Sequence, residues 1–292
     1  MKKIFITILW LFFLLYFPCK IYAAGLALSF DDDYVDEWYA MRDLLNSYNA
    51  KVTFFVTNLN SLTVEEWNKL EALKRDGHEI DSHGYTHLVA SNYIATYSMN
   101  QYLQNEILPS IRTLNNYGFY PIAFAYPTGA HTFETDNVLL GYFPILRTTI
   151  TTNGGLIPIK DIDSVFYKFD GATVLTSVGI DNIQGNSIDS IMAGLQRAKD
   201  QNEVLLIHGH RPLNSTENTY ITNISKLEAI LSYAQNHGLH FYTFSELVNP
   251  QSSAMRGDIN RDNKVDNLDC NQLITNFTNI FYYNLIVGNF GK

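Results

Sequence analysis

Eight short runs of β-branched and aromatic residues recur along the middle of the chain, and helical patterns separate most of them. The runs cover 26–30, 51–57, 78–83, 121–126, 145–149, 173–180, 203–208 and 239–244. Strands that alternate with helices in this way predict an α/β fold with a parallel sheet. We favour a sheet closed into a (β/α) barrel. An open doubly wound sheet is the alternative that periodicity leaves open.

The helical patterns carry local start and stop signals. Thr63 and Glu66 have the spacing of a capping box, and Gly77 lies where the same helix is expected to end. Ser98 opens another helix, in which Pro109 predicts a kink. Further helices are predicted over 38–48, 187–200 and 223–236.

The first 24 residues have the pattern of a secretory signal peptide. Two lysines precede an uncharged apolar run over 4–17, and small residues follow at 23–25. This run is too short for a relaxed transmembrane helix, although an uncleaved anchor is the alternative. We therefore expect a mature chain without a stable membrane span, either extracellular or associated with the cell surface.

Charge and composition narrow the classes of partner. The formal net charge is −9 at pH 7, which makes nucleic acid and anionic membranes poor partners. Aromatic residues make up 14% of the chain, as expected for a protein that handles sugars.

Polar residues follow four of the predicted strands at the point where each strand ends. The loops after parallel strands converge at one end of the fold, where such proteins build their active sites. We therefore expect these side chains to lie together. They are Asp31, Asp32 and Asp33 after the first run, His83 and His87 after the third, residues 127–129 after the fourth, and His208 and His210 after the seventh.

The residue types at these ends suit a divalent metal. His83 and His87 are four residues apart and can aim two imidazoles at one point. One carboxylate from 31–33 would complete a site with positions left for water and substrate. A second carboxylate would act as general base, and His208 would approach from a distant strand as general acid. We favour zinc, and cobalt, nickel or iron would also fit this donor set.

Each feature has a structural alternative when taken alone. Two histidines in a polar loop are often ordinary surface residues, and an aspartate triplet often forms a turn and a helix N-cap. The arrival of four such features at consecutive strand ends favours the functional interpretation.

Four segments, in this order, resemble the motifs of the polysaccharide deacetylases, the NodB-homology domain of carbohydrate esterase family 4. They are Ser-Phe-Asp-Asp at 29–32, His-Gly-Tyr-Thr-His at 83–87, Tyr-Pro-Thr-Gly at 126–129 and Leu-Ile-His at 206–208. The resemblance covers about 25–248. It implies a distorted (β/α) barrel that removes N- or O-acetyl groups from an acetylated polysaccharide with the help of a metal ion.

The resemblance also implies a role for each matching residue. Asp31 would be the catalytic base and His208 the general acid. The backbone N–H of Thr128 would stabilise the oxyanion, and Leu206 would line the pocket for the acetyl methyl group. The metal ligands would be Asp32, His83 and His87, and Tyr126 and Pro127 would lie beside the substrate.

Three positions depart from the family pattern. Ala125 occupies the place of an arginine that usually steadies the catalytic aspartate, and Gly84 replaces the serine or threonine that often follows the first metal histidine. The Asp-x-x-Asp-Trp segment that usually partners the acid histidine does not occur in the expected stretch. Arg147 and Asp181 are candidate replacements, and the sequence assigns neither.

The end of the chain predicts a calcium site. After a linker at 249–256, oxygen ligands fall at positions one, three, five, seven, nine and twelve of a loop, as in an EF-hand. They are Asp258, Asn260, Asp262, the carbonyl of Lys264, Asp266 and Asp269. The final aspartate resembles dockerin loops, but a weak second copy lacks the acidic loop. We favour a dockerin-like module at 257–292 that docks the protein to a scaffold or cell surface; an acidic tail without an ion is the alternative.

Together these features predict a secreted, metal-dependent polysaccharide deacetylase. Two other hypotheses stay open. The barrel could be a catalytically impaired glycan-binding unit tethered by the calcium module, or a passenger on a scaffold component whose essential part is that module.

Overall fold

The computed structural model describes residues 23–248. Most of the predicted signal peptide, the linker, and the calcium module with its ligands from Asp258 to Asp269 lie outside the described residues. Those assignments stay predictions.

Seven parallel strands form the barrel, in the order β1-β2-β3-β4-β5-β7-β8. Strand β8 pairs with β1 in parallel from Gly25 opposite Val204 to Phe30 opposite Gly209, and this pairing closes the sheet. The barrel is therefore confirmed, and the open-sheet alternative is wrong. The strands are β1 (Gly25–Asp32), β2 (Thr53–Val56), β3 (Glu79–Ser82), β4 (Ala123–Ala125), β5 (Ile145–Ile150), β6 (Phe166–Tyr167), β7 (Val174–Gly179), β8 (Val204–Gly209), β9 (Arg211–Leu213), β10 (Ile221–Asn223) and β11 (His240–Phe241).

Four short strands lie beside the barrel. β6 pairs antiparallel with β8, β11 adds to the start of β1, and β9 pairs with β10 in a separate two-stranded sheet. Each of the eight predicted runs contains a strand of the nine-stranded sheet. Strands buried on both faces are continuously apolar, which makes them easy to recognise in a sequence.

Side chains of the strands pack on both sides of the sheet. Leu26, Leu28 and Phe30 of β1 face the helices, whereas Ala27 points into the barrel beside Leu206. This alternation follows the two-residue period of a strand. The barrel is therefore filled with side chains, and the functional groups are confined to the strand ends.

Helices cover the outside of the sheet. Their bounds are α1 (Val35–Ala40), α2 (Arg42–Ser47), α3 (Val64–Arg75), α4 (Ala90–Thr96), α5 (Met99–Tyr102), α6 (Leu108–Asn116), α7 (Phe133–Leu139), α8 (Ile188–Gln201) and α9 (Ile224–Asn236). Within 23–248, no helix has both the length and the apolar character needed to cross a bilayer.

The predicted helix signals are confirmed. Thr63 and Glu66 form the capping box of α3, and Gly77 adopts a left-handed φ of +90° just after the helix ends. The turn before Pro109 widens into a π-helix over Leu103–Ile107, which accommodates the proline ring. This π-helix also contains the buried Glu106, which contacts the loop after β3.

Candidate metal centre and active site

Two neighbouring carboxylates emerge at the end of β1. The strand is buried as far as Asp31, and Asp32 then adopts a φ of +84°. A positive φ is unusual outside glycine and breaks the alternation of a strand. Because of this turn, Asp31 and Asp32 both face the open end of the barrel.

Asp32, His83 and His87 form a cluster of three potential metal ligands, and one donor atom from each lies within 4.8 Å of the others. Asp32 Oδ1 is 3.7 Å from His83 Nε2 and 3.4 Å from His87 Nε2. Ligand atoms bound about 2 Å from one ion would be roughly 3 Å apart, so small movements would complete the coordination. The three residues therefore fit a divalent metal, and the expectation that they converge is confirmed.

The surroundings of His83 prepare it to bind a cation. Its Nδ1–H donates to the carbonyl oxygen of Ala125 at 2.8 Å, which leaves the lone pair of Nε2 facing Asp32. Burial lowers the pKa of His83 to about 3, so the imidazole is neutral at physiological pH. A neutral imidazole is the form that coordinates metals.

Arg147 supplies the partner of Asp31 that the sequence did not assign. Its guanidinium donates to Asp31 Oδ2 in an ion pair buried on both sides. Burial opposes ionisation of Asp31, but the charge of Arg147 acts together with the neighbouring histidines and holds the pKa of this carboxyl well below its usual range. Arg147 on β5 lies directly opposite Ala125 on β4. The positive charge expected at position 125 is therefore supplied by the neighbouring strand.

Two histidines, His208 and His210, lie at the end of β8. His208 is buried, and its Nδ1 lies 2.8 Å from the hydroxyl of Ser177 on β7. Burial, followed by the nearby charge of Arg147, lowers the pKa of His208 to about 3. Asp181 does not partner His208; it pairs with Nδ1 of His210 at 2.5 Å.

The residues expected around the substrate lie after β4 and within β8. Tyr126 is buried and donates its hydroxyl to Asp136, and Pro127 begins a 3₁₀ turn. Thr128 is exposed in that turn with a left-handed φ of +60°. Leu206 is buried among the interior side chains of the barrel.

Glu106, which the sequence did not single out, holds the loop between the two ligand histidines. Its buried carboxylate accepts hydrogen bonds from the backbone N–H groups of Thr86 and Leu88 at 2.9–3.1 Å and from the Thr86 hydroxyl at 2.9 Å. A Cβ on Gly84 would lie 2.2 Å from Glu106 Oε1. Gly84 thus leaves room for the carboxylate. An acidic residue among the buried positions of a helix was the only sequence signal for it.

Comparison with known proteins gives a family match and a fold match. Residues 23–142 match the model of the polysaccharide deacetylase family. A peptidoglycan-N-acetylglucosamine deacetylase of Bacillus cereus is 32% identical over 110 residues, which cover 36% of this chain and 46% of that protein. The match thus spans less than half the length of this relative.

Among solved structures, a protein from Mycobacterium smegmatis that has been assigned as a polysaccharide deacetylase superposes with a TM-score of 0.56 at 14% identity. The superposition covers 78% of this chain and 90% of that one. The Xyl-CE4 domain of a multidomain xylanase from the hindgut metagenome of Trinervitermes trinervoides is also similar, with a TM-score of 0.49, 20% identity and coverage of 77% and 89%. Residues 23–142 are thus similar to the polysaccharide deacetylase family, and the Mycobacterium smegmatis protein shares the fold.

Proposed function

We propose that this protein is a secreted, metal-dependent deacetylase that hydrolyses N- or O-acetyl groups of a polysaccharide. One observation carries the proposal. Asp32, His83 and His87 gather beside an ionised Asp31 held by Arg147. The aspartates end β1, the histidines follow β3, and Arg147 comes from β5.

A divalent ion would be held by Asp32, His83 and His87 and would supply Lewis acidity toward the acetyl carbonyl. Zinc is our first choice, with cobalt, nickel or iron as alternatives. The neutral, buried His83 and the carboxylate of Asp32 suit any of these ions.

Asp31 is suited to the role of general base. Its Oδ2 is occupied by Arg147, whereas its Oδ1 is buried and has no hydrogen-bond partner among residues 23–248. This free oxygen can take a proton from the attacking water while the water oxygen bonds to the acetyl carbon. Arg147 keeps Asp31 charged and fixes the direction of its free lone pairs.

Collapse of the tetrahedral intermediate breaks the bond from the acetyl carbon to the sugar nitrogen or oxygen, and the leaving atom needs a proton. Following the resemblance, we assign this acid to the end of β8, where His208 is the expected donor and lies opposite Ser29 of β1. The backbone N–H of Thr128 would donate to the oxyanion, and Leu206 would border the acetyl methyl group. Tyr126 and Pro127 would position the sugar.

The same comparisons guide the choice of substrates to test. The curated relative is named for peptidoglycan N-acetylglucosamine, so amide-linked acetyl groups on such glycans are the first substrates to test. Acetylated xylan tests the ester alternative, because both substrates pass through a similar oxyanion.

The two ends of the chain extend the proposal. Residues 1–24 would direct secretion, and the calcium module at 257–292 would dock the enzyme to a scaffold or cell surface. Deleting 251–292 should abolish this attachment and calcium binding while leaving acetate release intact. Loss of acetate release on deletion would contradict the separation of the two functions.

The central experiment measures acetate released from acetylated chito-oligosaccharides, peptidoglycan and acetylxylan, with and without a chelator. We expect metal-dependent release that Asp31→Asn abolishes. Asp33→Asn is the matched control, because Asp33 accepts from Asn58 at 2.9 Å and has no role in the proposed reaction. Activity that persists in Asp31→Asn would refute the mechanism. Sugar binding without turnover on any substrate would favour the glycan-binding alternative.

A further inference from the structure

A buried carboxylate holds His210 on one side. Asp181 Oδ2 accepts from His210 Nδ1 at 2.5 Å, and Asp181 Oδ1 accepts from the backbone N–H of the same histidine at 3.1 Å. The hydroxyl of Thr222 also donates to Oδ1. Three hydrogen bonds therefore fix one carboxylate against one imidazole, and the indole N–H of Trp38 fixes the carbonyl of His210 at 2.8 Å.

His208 has no comparable partner. Its Nδ1 faces the Ser177 hydroxyl, and the guanidinium of Arg147 disfavours a second positive charge nearby. A histidine that donates a proton must be charged before the step, and a carboxylate at Nδ1 is the group that stabilises this charge. The arrangement expected around His208 is therefore found around His210.

The free edge of His210 faces away from Asp181. Since Nδ1 is occupied, Nε2 on the opposite edge of the ring is available to a substrate, and no group of the described chain hydrogen-bonds to it. The ring centroid lies 5.8 Å from that of His208, and the side chain is 13% exposed. His210 thus lies beside the expected acid, and a small part of its side chain reaches the solvent.

We propose that His210, oriented by Asp181, donates the proton to the departing sugar nitrogen or oxygen. The proton leaves Nε2 as the bond from the acetyl carbon to that atom breaks, and a neutral imidazole remains. Solvent then returns a proton to His210 and removes the one that Asp31 took from water. This assignment rests on the proposed function and concerns only which residue is the acid.

The electrostatic surroundings agree with this role. Burial lowers the pKa of His210, but the hydrogen bond that its Nδ1–H donates to Asp181 is the largest influence that raises it, and the net shift is upward. The rings of His208 and Tyr220 lie near that of His210, with centroids 5.8 and 4.9 Å away. On the far side of the pair, the Lys226 ammonium interacts with Asp181 and donates to the Ile180 carbonyl.

The leaving group provides the test. Acetylated chito-oligosaccharide needs a proton on its departing amine, whereas 4-nitrophenyl acetate releases a phenolate that needs none. With metal-saturated protein, we expect His210→Gln to lower kcat on the oligosaccharide by about 100-fold or more and to leave the aryl ester nearly unchanged. His240→Gln, on a half-exposed residue of β11, is the control.

The pH at which activity is lost on the alkaline side supplies a second readout. Asp181→Asn removes the charge that stabilises the imidazolium, so the pKa of His210 falls. Activity on the oligosaccharide, which needs the protonated form, should therefore disappear at a lower pH on the alkaline side. His208→Gln should affect both substrates by a similar factor and leave that alkaline limb in place.

Three outcomes would overturn the assignment. One is a selective loss on the oligosaccharide in His208→Gln, and another is an unchanged rate in His210→Gln. The third is an NMR titration of the imidazole carbons in the wild-type protein that finds the pKa of His210 lower than in the Asp181→Asn variant or equal to it. A wild type that releases no acetate would refute the proposed function along with it, whereas an active wild type with an equally active His210→Gln would refute this inference alone.

Discussion

Replacing Arg147 by methionine should reveal how much the buried ion pair contributes. Methionine keeps much of the apolar volume against Phe55, whose ring lies 5.2 Å from the guanidinium, but removes the charge. Asp31 would then be a buried carboxylate without a cation. With burial as the dominant influence, its pKa should rise.

The expected loss of stability can be estimated in two ways. Opposite charges about 4 Å apart attract by about 4 kcal/mol at an effective dielectric constant near 20. Removing one partner of a buried pair typically costs about 3–5 kcal/mol. We therefore expect Arg147→Met to lower the free energy of unfolding by about 4 kcal/mol at pH 7, and by less where Asp31 becomes protonated.

Urea unfolding of a double-mutant cycle measures this coupling. The cycle compares Arg147→Met, Asp31→Asn and the double variant, in which neither charge is present, so that part of the loss should be recovered. Arg75→Met is the control, because its pair with Glu71 is more than half exposed on both sides and should contribute at most about 1 kcal/mol.

Activity provides an independent readout of the same change. In the wild type, Asp31 is ionised throughout the working range, so the base does not limit the rate at moderately acidic pH. In Arg147→Met, the raised pKa should move the acidic limb of the rate profile to higher pH. A loss of stability no larger than that of Arg75→Met, together with an unshifted acidic limb, would refute the reasoning.

Three further predictions concern other parts of the protein. Burial lowers the pKa of His78 to about 4, so between pH 6.5 and 4 the folded state binds fewer protons than the unfolded one. Acidification over this range should therefore remove up to about 3 kcal/mol of stability. In His78→Leu the urea midpoint should depend less on pH, and equal slopes in the two proteins would contradict this. Gly84→Ala would place a Cβ against Glu106 and should weaken metal binding by about tenfold or more in a chelator competition. Gly118 has a similar positive φ but open space around it, so Gly118→Ala should leave the metal affinity unchanged. Zinc should raise the Tm of the wild type and restore acetate release after chelation, and Asp32→Asn should lose most of this thermal shift; an equal shift in both proteins would exclude Asp32 as a ligand.

The sequence alone predicted the parts of the site that depend on local patterns. Each metal ligand follows a buried strand, and the ends of parallel strands meet, so the convergence of Asp32, His83 and His87 needed no knowledge of strand order. The closed barrel needed one more assumption, that the last strand of the repeat returns to the first. The pairing of β8 with β1 confirms it.

The contacts that the sequence left unassigned or missed depend on information that no short segment contains. Arg147 reaches Asp31 because β5 lies beside β4 in a particular register, which places it opposite Ala125. Glu106 reaches the metal loop from a helix about 20 residues further along the chain. Helices α4 and α7 were also missed, since both are short and partly exposed and carry weak apolar periodicity.

Closure of the barrel by its first and last long strands has a consequence for biosynthesis. Until residues 204–209 emerge, one side of Gly25–Phe30 presents unpaired N–H and C=O groups, the kind of surface on which foreign strands assemble. A chain truncated before residue 204 should therefore aggregate through this unpaired edge of β1. The earliest strand must therefore stay shielded through most of translation.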